Sequence, residues 1–300
     1  MYLPTIFILG ICFLLMALLF IFRKYPETKK RRSPFTDKFL RSPGESLNRQ
    51  IMEINDKIIT YVIYVITVPS LLYSAYISML QFRQLNQSLL TKTLIGIFGV
   101  GFTVYCLWNI IVSLNKRRLF RLRYEGEIAV GQELNQLMRD GYYVYHNFFA
   151  DKFNIDHIVV GRSGVFAVET KARAKPTTGG AASDYKVKYD GKCLQFPNGT
   201  DVRSIDQTKR QGELLSKWLQ SATGERVWVR PVLALPGWFV ERTASGGIPV
   251  INPKKFRSIA GPIEGKILSE SMISRIVHQL ERKCRDIEPK AIERSSKSPG

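Results

Sequence analysis

An aspartate and a Glu-Thr-Lys triplet stand out within two apolar runs of this chain. The first run is Ile155-Asp156-His157-Ile158-Val159-Val160. The turn Gly161-Arg162-Ser163-Gly164 follows, and then Val165-Phe166-Ala167-Val168-Glu169-Thr170-Lys171. Two β-rich runs joined by a glycine-bounded turn predict a hairpin. Alternation along a strand puts Glu169 and Lys171 on one face, where Asp156 of the paired strand can join them. Charged side chains are depleted in apolar strands unless they are paired or bound. Two carboxylates and an ammonium at one sheet surface suit a divalent cation held by oxygen ligands, with a lysine beside a scissile phosphate. His157 falls on the opposite face and reads as a core or hydrogen-bonding histidine rather than a ligand.

The elements that must hold these residues follow from pattern. Ile128, Val130, Leu134, Leu137 and Met138 recur at helical spacing after Tyr124-Glu125-Gly126-Glu127, and Asp140-Gly141 closes that helix. Residues 142–148 read as the first strand. A loop spans 172–184, and a second hairpin turns at Asp190-Gly191 between 185–189 and 193–196. A helix over 205–219, strands over 227–235 and 248–251, and a helix over 271–283 complete the series. The order is αβββ, hairpin, α, β, β, α, a mixed sheet with helices packed on it and hence an α/β fold. Trp218, Trp228 and Trp238 are expected in the core or at an interface.

The first 114 residues have a different character. Residues 2–22, 58–80 and 93–114 are each long and apolar enough to cross the ~30 Å hydrocarbon core of a bilayer. No Lys or Arg precedes the first span and no small-residue cleavage site follows it, which argues against a signal peptide. Ile11 before Cys12 is too large for a lipoprotein box. The loop 23–57 is basic, with Arg23, Lys24, Lys29, Lys30, Arg31 and Arg32, and Lys116-Arg117-Arg118 follows the third span. Between the second and third spans only Arg83 and Lys92 are basic. The positive-inside rule then sets the N-terminus outside and everything after residue 114 inside. The expected location is a bacterial inner membrane, with the soluble region cytoplasmic. No span has a charge at its centre, which disfavours a transporter. Absence of Cys-x-x-Cys and of zinc-ligand spacing agrees with a reducing compartment.

The predicted organisation is a membrane region over 1–114, a cytoplasmic domain over 115–283 with its core at 124–260, and a flexible tail over 284–300. The chain carries a formal net charge of +19, and residues 115–300 share that basic excess. Such a domain is drawn to polyanions, nucleic acid first, although an anionic membrane surface draws it equally. Arg173 and Lys175 in the 172–184 loop are candidate nucleic-acid contacts.

This pattern resembles the NERD (nuclease-related domain) family of the PD-(D/E)xK, restriction-endonuclease-like superfamily, from about residue 124 to about residue 260. The matching elements are Gly126-Glu127, the Asp156 run, the Glu169-Thr170-Lys171 run, Asp206-Gln207 opening a later helix, and the apolar Pro231-Val232-Leu233-Ala234-Leu235. The proline of the superfamily signature is here Ile155. The resemblance implies that Asp156 and Glu169 ligate Mg²⁺ or Mn²⁺ and that Lys171 acts on the attacking water and the phosphate. It also implies that Glu127 assists from the first helix and Gln207 from the later one, with Gln211 an alternative to Gln207. Glu127 has a second explanation, since negative charge stabilises a helix N-terminus. The expected function is a membrane-anchored, metal-dependent nuclease, with DNA ahead of RNA as substrate. The alternative is a non-catalytic nucleic-acid-binding or scaffold module. The sequence leaves the oligomeric state open.

Overall fold

A computed structural model of the chain describes residue 10 and residues 37–81, 89–150, 153–176, 185–263, 265 and 267–288. The first expected span, 2–22, lies outside the described residues apart from residue 10, as do residues 23–36 of the basic loop and the end of the tail. The chain divides into two compact units. One comprises Met1–Pro34, Gln50–Leu119 and Lys290–Gly300, and the other Phe35–Arg49 and Phe120–Pro289.

In chain order the elements begin with β1 (Phe39–Leu40), α1 (Glu45–Gln81) and α2 (Leu89–Asn135). Then come β2 (Tyr143–Ala150), β3 (Phe153–Gly161), β4 (Gly164–Thr170), β5 (Lys186–Tyr189), β6 (Leu194–Phe196) and β7 (Gly199–Asp201). The remainder are α3 (Arg203–Thr223), β8 (Val229–Ala234), β9 (Phe239–Arg242), β10 (Val250–Ile251), α4 (Glu270–Cys284) and β11 (Arg285–Ile287).

The first unit holds most of α1 and α2. Among the described residues, two helices are long and apolar enough to cross a membrane by length and composition: Glu45–Ser78 and Lys92–Asp140. Only 6% of each apolar window is buried, whereas the core helix of a soluble protein would be mostly covered. Ile66, Tyr73, Ile97, Val100, Val104 and Trp108 all lie exposed. Contacts between the two helices include the tyrosine pair Tyr61–Tyr105, edge-on at 6.3 Å.

The second unit is mixed α/β, with sheets flanked by helices. Its main sheet has the order β10-β8-β4-β3-β2. β10, β8 and β4 run parallel, while β4, β3 and β2 form an antiparallel meander. One face packs under α3 and α4 through Ile158, Ala167, Leu215, Leu219 and Ile276. The opposite face packs under the end of α2 through Val130, Leu134, Val159, Phe166 and Val168. The sequence pattern predicts one sheet. A second emerges, of order β7-β6-β5-β9, because β9 pairs in parallel with β5. Its core is Val187, Tyr189, Leu194, Phe196, Ile205 and Trp238.

Three further features depart from the expected boundaries. The helix expected at residue 124 continues without a break from Leu89, and a 3₁₀ turn over Gln136–Asp140 finishes it. Residues 39–40, expected within the basic loop, form β1 and pair antiparallel with β11, which lies within the expected tail. Arg41 fixes that junction: its guanidinium ion-pairs with Asp286 and its backbone N–H donates to the Cys284 carbonyl at 3.0 Å. Neither the two-residue β1 nor the three-residue β11 is long enough to show the alternating pattern by which a strand is recognised from sequence.

Candidate active site

The hairpin β3–β4 has the register His157↔Val168, Ile158↔Ala167 and Val160↔Val165. One step further along this register sets Asp156 opposite Glu169. Asp156 is buried, and its Oδ2 accepts a 2.8 Å hydrogen bond from the backbone N–H of Thr170. The carboxylate of Glu169 is held by a fork of two glutamines. Gln207 Nε2 donates to Oε1 and Gln211 Nε2 to Oε2, each at 2.7 Å. The two glutamines are four apart on α3 and so share a face. Gln211 is buried and also donates to the Asn154 carbonyl at 2.9 Å. Both residues that the sequence offers as alternatives therefore reach the same carboxylate. The fork needs α3 close to the sheet, and Gly212 permits it: a Cβ there would stand 3.0 Å from the Pro231 side chain.

Glu127 comes from α2. The helix reaches the end of β4 only because residue 126 has no side chain. A Cβ at Gly126 would lie 2.5 Å from the Ala172 Cβ. Glu127 is buried, and its Oε2 has no hydrogen-bond partner among the described residues. The Gly44 backbone supplies one hydrogen bond to the carboxylate. Glu127 lies deep within a continuous helix rather than at its start, so a helix-terminus role does not account for it.

These three acids act on one another. Burial pushes the Glu127 carboxyl up to about 8, and the nearby Asp156 adds to the rise. Burial pushes Asp156 up to about 6 against the Thr170 hydrogen bond. Glu169 stays half-open at its surface while its carboxylate is enclosed. Burial first, then Asp156 and Glu127, raise it well above the usual range, against Gln211 and Lys171. Adjacent acids raise one another's proton affinity because the second negative charge is repelled by the first.

Lys171 leaves the strand end with its backbone N–H bonded to the Ala234 carbonyl at 2.9 Å. Its Nζ is 3.6 Å from Asp201 Oδ2. Burial pushes the Asp201 carboxyl up, but Ser204 and Lys171 outweigh it and leave it below the usual range. Asp201 accepts from the Ser204 backbone at 3.0 Å and its hydroxyl at 2.7 Å, which ties Lys171 to the start of α3. Sequence reasoning misses Asp201, because Asp-x-x-Ser before a helix reads as capping alone.

Arg173 and Lys175 are turned toward the second sheet. The Arg173 guanidinium lies 4.3 Å over the Phe196 ring and donates to the Asn198 carbonyl at 3.0 Å. Lys175 Nζ lies 5.9 Å over Trp238.

Behind Asp156 runs a second polar group. His157 Nδ1 is 2.8 Å from His146 Nδ1, His146 Nε2 is 3.0 Å from Asn135 Oδ1, and His157 Nε2 is 3.2 Å from Thr170 Oγ1. Burial lowers His146 to about 4, and burial with the neighbouring His146 lowers His157 well below its ordinary value. Both rings are therefore neutral. Asn135 Oδ1 can only accept, so His146 donates from Nε2 and accepts at Nδ1, which makes His157 the donor there and the acceptor toward Thr170. Opposite Asp156, in the gap that the β2–β3 register leaves, Asn147 has φ +50°. Ser46 Oγ donates to its Oδ1 at 2.8 Å and its Nδ2 donates to the Ser42 carbonyl at 2.9 Å, so residues 42–46 hold this kink.

Among the described residues, no group of three or more His, Cys, Asp and Glu side chains could hold a metal ion. The donor set nevertheless fits a hard divalent cation. It is oxygen-only, its acids repel one another, and Glu127 Oε2 has no partner among the described residues. Mg²⁺ is commonly bound through one or two carboxylates, with water and substrate phosphate completing the shell.

A mixed sheet with a buried acidic cluster at a hairpin end, flanked by a lysine, defines a class of site suited to phosphate chemistry. Residues 122–236 match the family model of the nuclease-related domain, NERD. The matched segment runs from the end of α2 to just past β8 and contains Glu127, Asp156, Glu169, Lys171 and Gln207. No curated protein and no solved structure matches the chain.

Proposed function

We propose that this protein is a membrane-anchored, metal-dependent nuclease that hydrolyses nucleic acid, DNA ahead of RNA, at the cytoplasmic face. The observation that carries the reading is the convergence of Glu127, Asp156 and Glu169 beside Lys171, with Asp156 raising the proton affinity of both glutamates and Glu127 that of Glu169. Asp156 and Glu169 would hold Mg²⁺ or Mn²⁺, with Glu127 close behind. A bound ion supplies an acidified water and stabilisation of charge on the phosphate. Thr170 and the glutamine fork fix the two carboxylates before substrate arrives. Lys171, held at the surface by Asp201, offers its ammonium to a phosphate oxygen. The basic surface draws in the polyanion.

Incubation of the purified chain with plasmid, linear and single-stranded DNA and with RNA, with and without Mg²⁺ or Mn²⁺, tests the activity. Metal-dependent cleavage by the parent but not by Lys171→Ala is expected. A second reading, a non-catalytic nucleic-acid-binding or scaffold module at the membrane, draws on the lack of a three-ligand cluster among the described residues. Binding without cleavage of any of these substrates would select it.

The exposed apolar helices support membrane anchoring, and the basic flanks support an outside N-terminus. A reporter active only outside the cytoplasm, fused after Gly300, should be silent, and one inserted near Asn86 should be active. The reverse pattern would remove the cytoplasmic assignment.

A further inference from the structure

Strand β9 closes one edge of the second sheet, and Phe239 at its start is 45% exposed. A large aromatic ring left open on an edge strand can take a flat partner once the side chains over it move aside. Its surroundings are basic. Lys186, its Cα partner on β5, places Nζ 5.9 Å from the ring centroid, and Lys255 places Nζ at 5.3 Å. Tyr185, itself 42% exposed, accepts the Phe239 backbone N–H at 2.9 Å, so two open aromatic residues adjoin. The residue before Phe239 is Trp238, whose ring carries Lys175 and whose Nε1 donates to the Arg173 carbonyl at 3.2 Å. Arg173 over Phe196 and Lys175 over Trp238 thus continue from Lys171 toward this edge.

From this arrangement we infer that the Phe239 edge is a stacking platform for an unpaired strand of nucleic acid, a binding site separate from the carboxylate cluster. The inference rests on the nucleic-acid reading proposed above and adds strandedness to it. Unstacked bases present flat π-faces to an aromatic ring, and their phosphates need cations beside that ring. The bases of a duplex are stacked on one another and cannot use the ring. Both lysines now lie against Phe239, and a stacked base would displace at least one. The exchange favours the base, since an exposed cation–π contact is weaker than a base stacked on an aromatic ring, and the released ammonium gains a phosphate. An exposed ring flanked by lysines also suits an anionic bilayer surface, which the vesicle arm of the test separates from an oligonucleotide.

The test uses the full chain in a zwitterionic detergent with EDTA, so that binding is read without hydrolysis. The probes are a short fluorescein-labelled oligothymidylate and a duplex of equal length. Phe239→Ala should weaken single-strand binding about tenfold while duplex binding stays within about twofold. Phe239→Trp should retain the affinity and so exclude simple misfolding. Lys186→Gln and Lys255→Gln should each make single-strand binding less steeply dependent on salt. Unchanged single-strand affinity in Phe239→Ala, or equal loss for duplex and single strand, overturns the platform. So does Phe239-dependent binding to phosphatidylglycerol vesicles by a protein that ignores the oligonucleotide. A protein that cleaves with Mg²⁺ but binds independently of Phe239 sinks this inference alone. One that stacks the oligonucleotide in EDTA and never cleaves sinks the catalytic reading alone.

Discussion

Asp156 and His157 are adjacent in the chain and both are buried, yet their surroundings differ in kind. His157 belongs to a closed chain from Asn135 through His146 to Thr170, in which every ring nitrogen has a partner. Asp156 belongs to a group in which one oxygen of Glu127 has no partner among the described residues and the charge of Asp156 pushes both glutamates toward protonation. A buried polar network that is fully satisfied rigidifies a fold, whereas one left short stores repulsion that a ligand can relieve. Thr170 joins the two: its hydroxyl completes the histidine chain and its backbone N–H holds Asp156. The lesson of the pair is that the satisfied side holds the unsatisfied side in place.

The comparison breaks most decisively on the acidic side. Lys171→Ala should reduce cleavage by about 10³-fold while leaving metal-linked stabilisation intact, since both carboxylates remain. Asp156→Asn should lose cleavage and also the rise in melting temperature that excess Mg²⁺ or Mn²⁺ gives the parent. Equal metal responses in parent and variant would take Asp156 out of the ligand set.

On the histidine side, His157→Ala should cost about 2–4 kcal/mol, because it opens a cavity and leaves His146 Nδ1 and Thr170 Oγ1 short of a partner. The metal-linked rise in melting temperature should survive in reduced form. A variant as stable as the parent would show that the histidine chain is not structural.

The acids also set a pH dependence with a definite sign. Glu127 is raised to about 8 in the folded chain, so between its ordinary value near 4.5 and about 8 the folded state keeps a proton that the unfolded state has lost. The folded state therefore binds more protons, and stability falls as pH rises through that window. Glu127→Gln removes this contribution. In EDTA, the drop in melting temperature from pH 5 to pH 8 should be smaller in the variant by about 5 °C. An unchanged drop would mean that Glu127 titrates normally.

The smallest effect separates the two glutamines. Gln211 is buried and holds both Glu169 and the Asn154 carbonyl, whereas Gln207 is the more open and holds Glu169 alone. Gln211→Ala should lower both stability and cleavage, and Gln207→Ala should lower cleavage by about tenfold with stability within about 0.5 kcal/mol of the parent. Identical melting curves for the two variants would erase the distinction.

The sequence by itself determined the β3–β4 hairpin, the candidate acids on it, the amphipathic helices and the apolar stretches that became α1 and the first part of α2. Each of these is a local pattern: alternation in strands, a period of 3.6 in helices, a turn flanked by glycines. Only the tertiary structure decided that β9 joins β5 to make a second sheet, that residues 39–46 clamp Asn147, and that Asp201 meets Lys171. It also decided that both glutamines converge on one carboxylate and that Gly126 and Gly212 let their helices close on the sheet. These depend on contacts between segments far apart in the chain, and no periodicity records which distant surfaces will meet. The raised acids belong to the same category, because a carboxylate's proton affinity is set by the water removed and the charges brought near on folding.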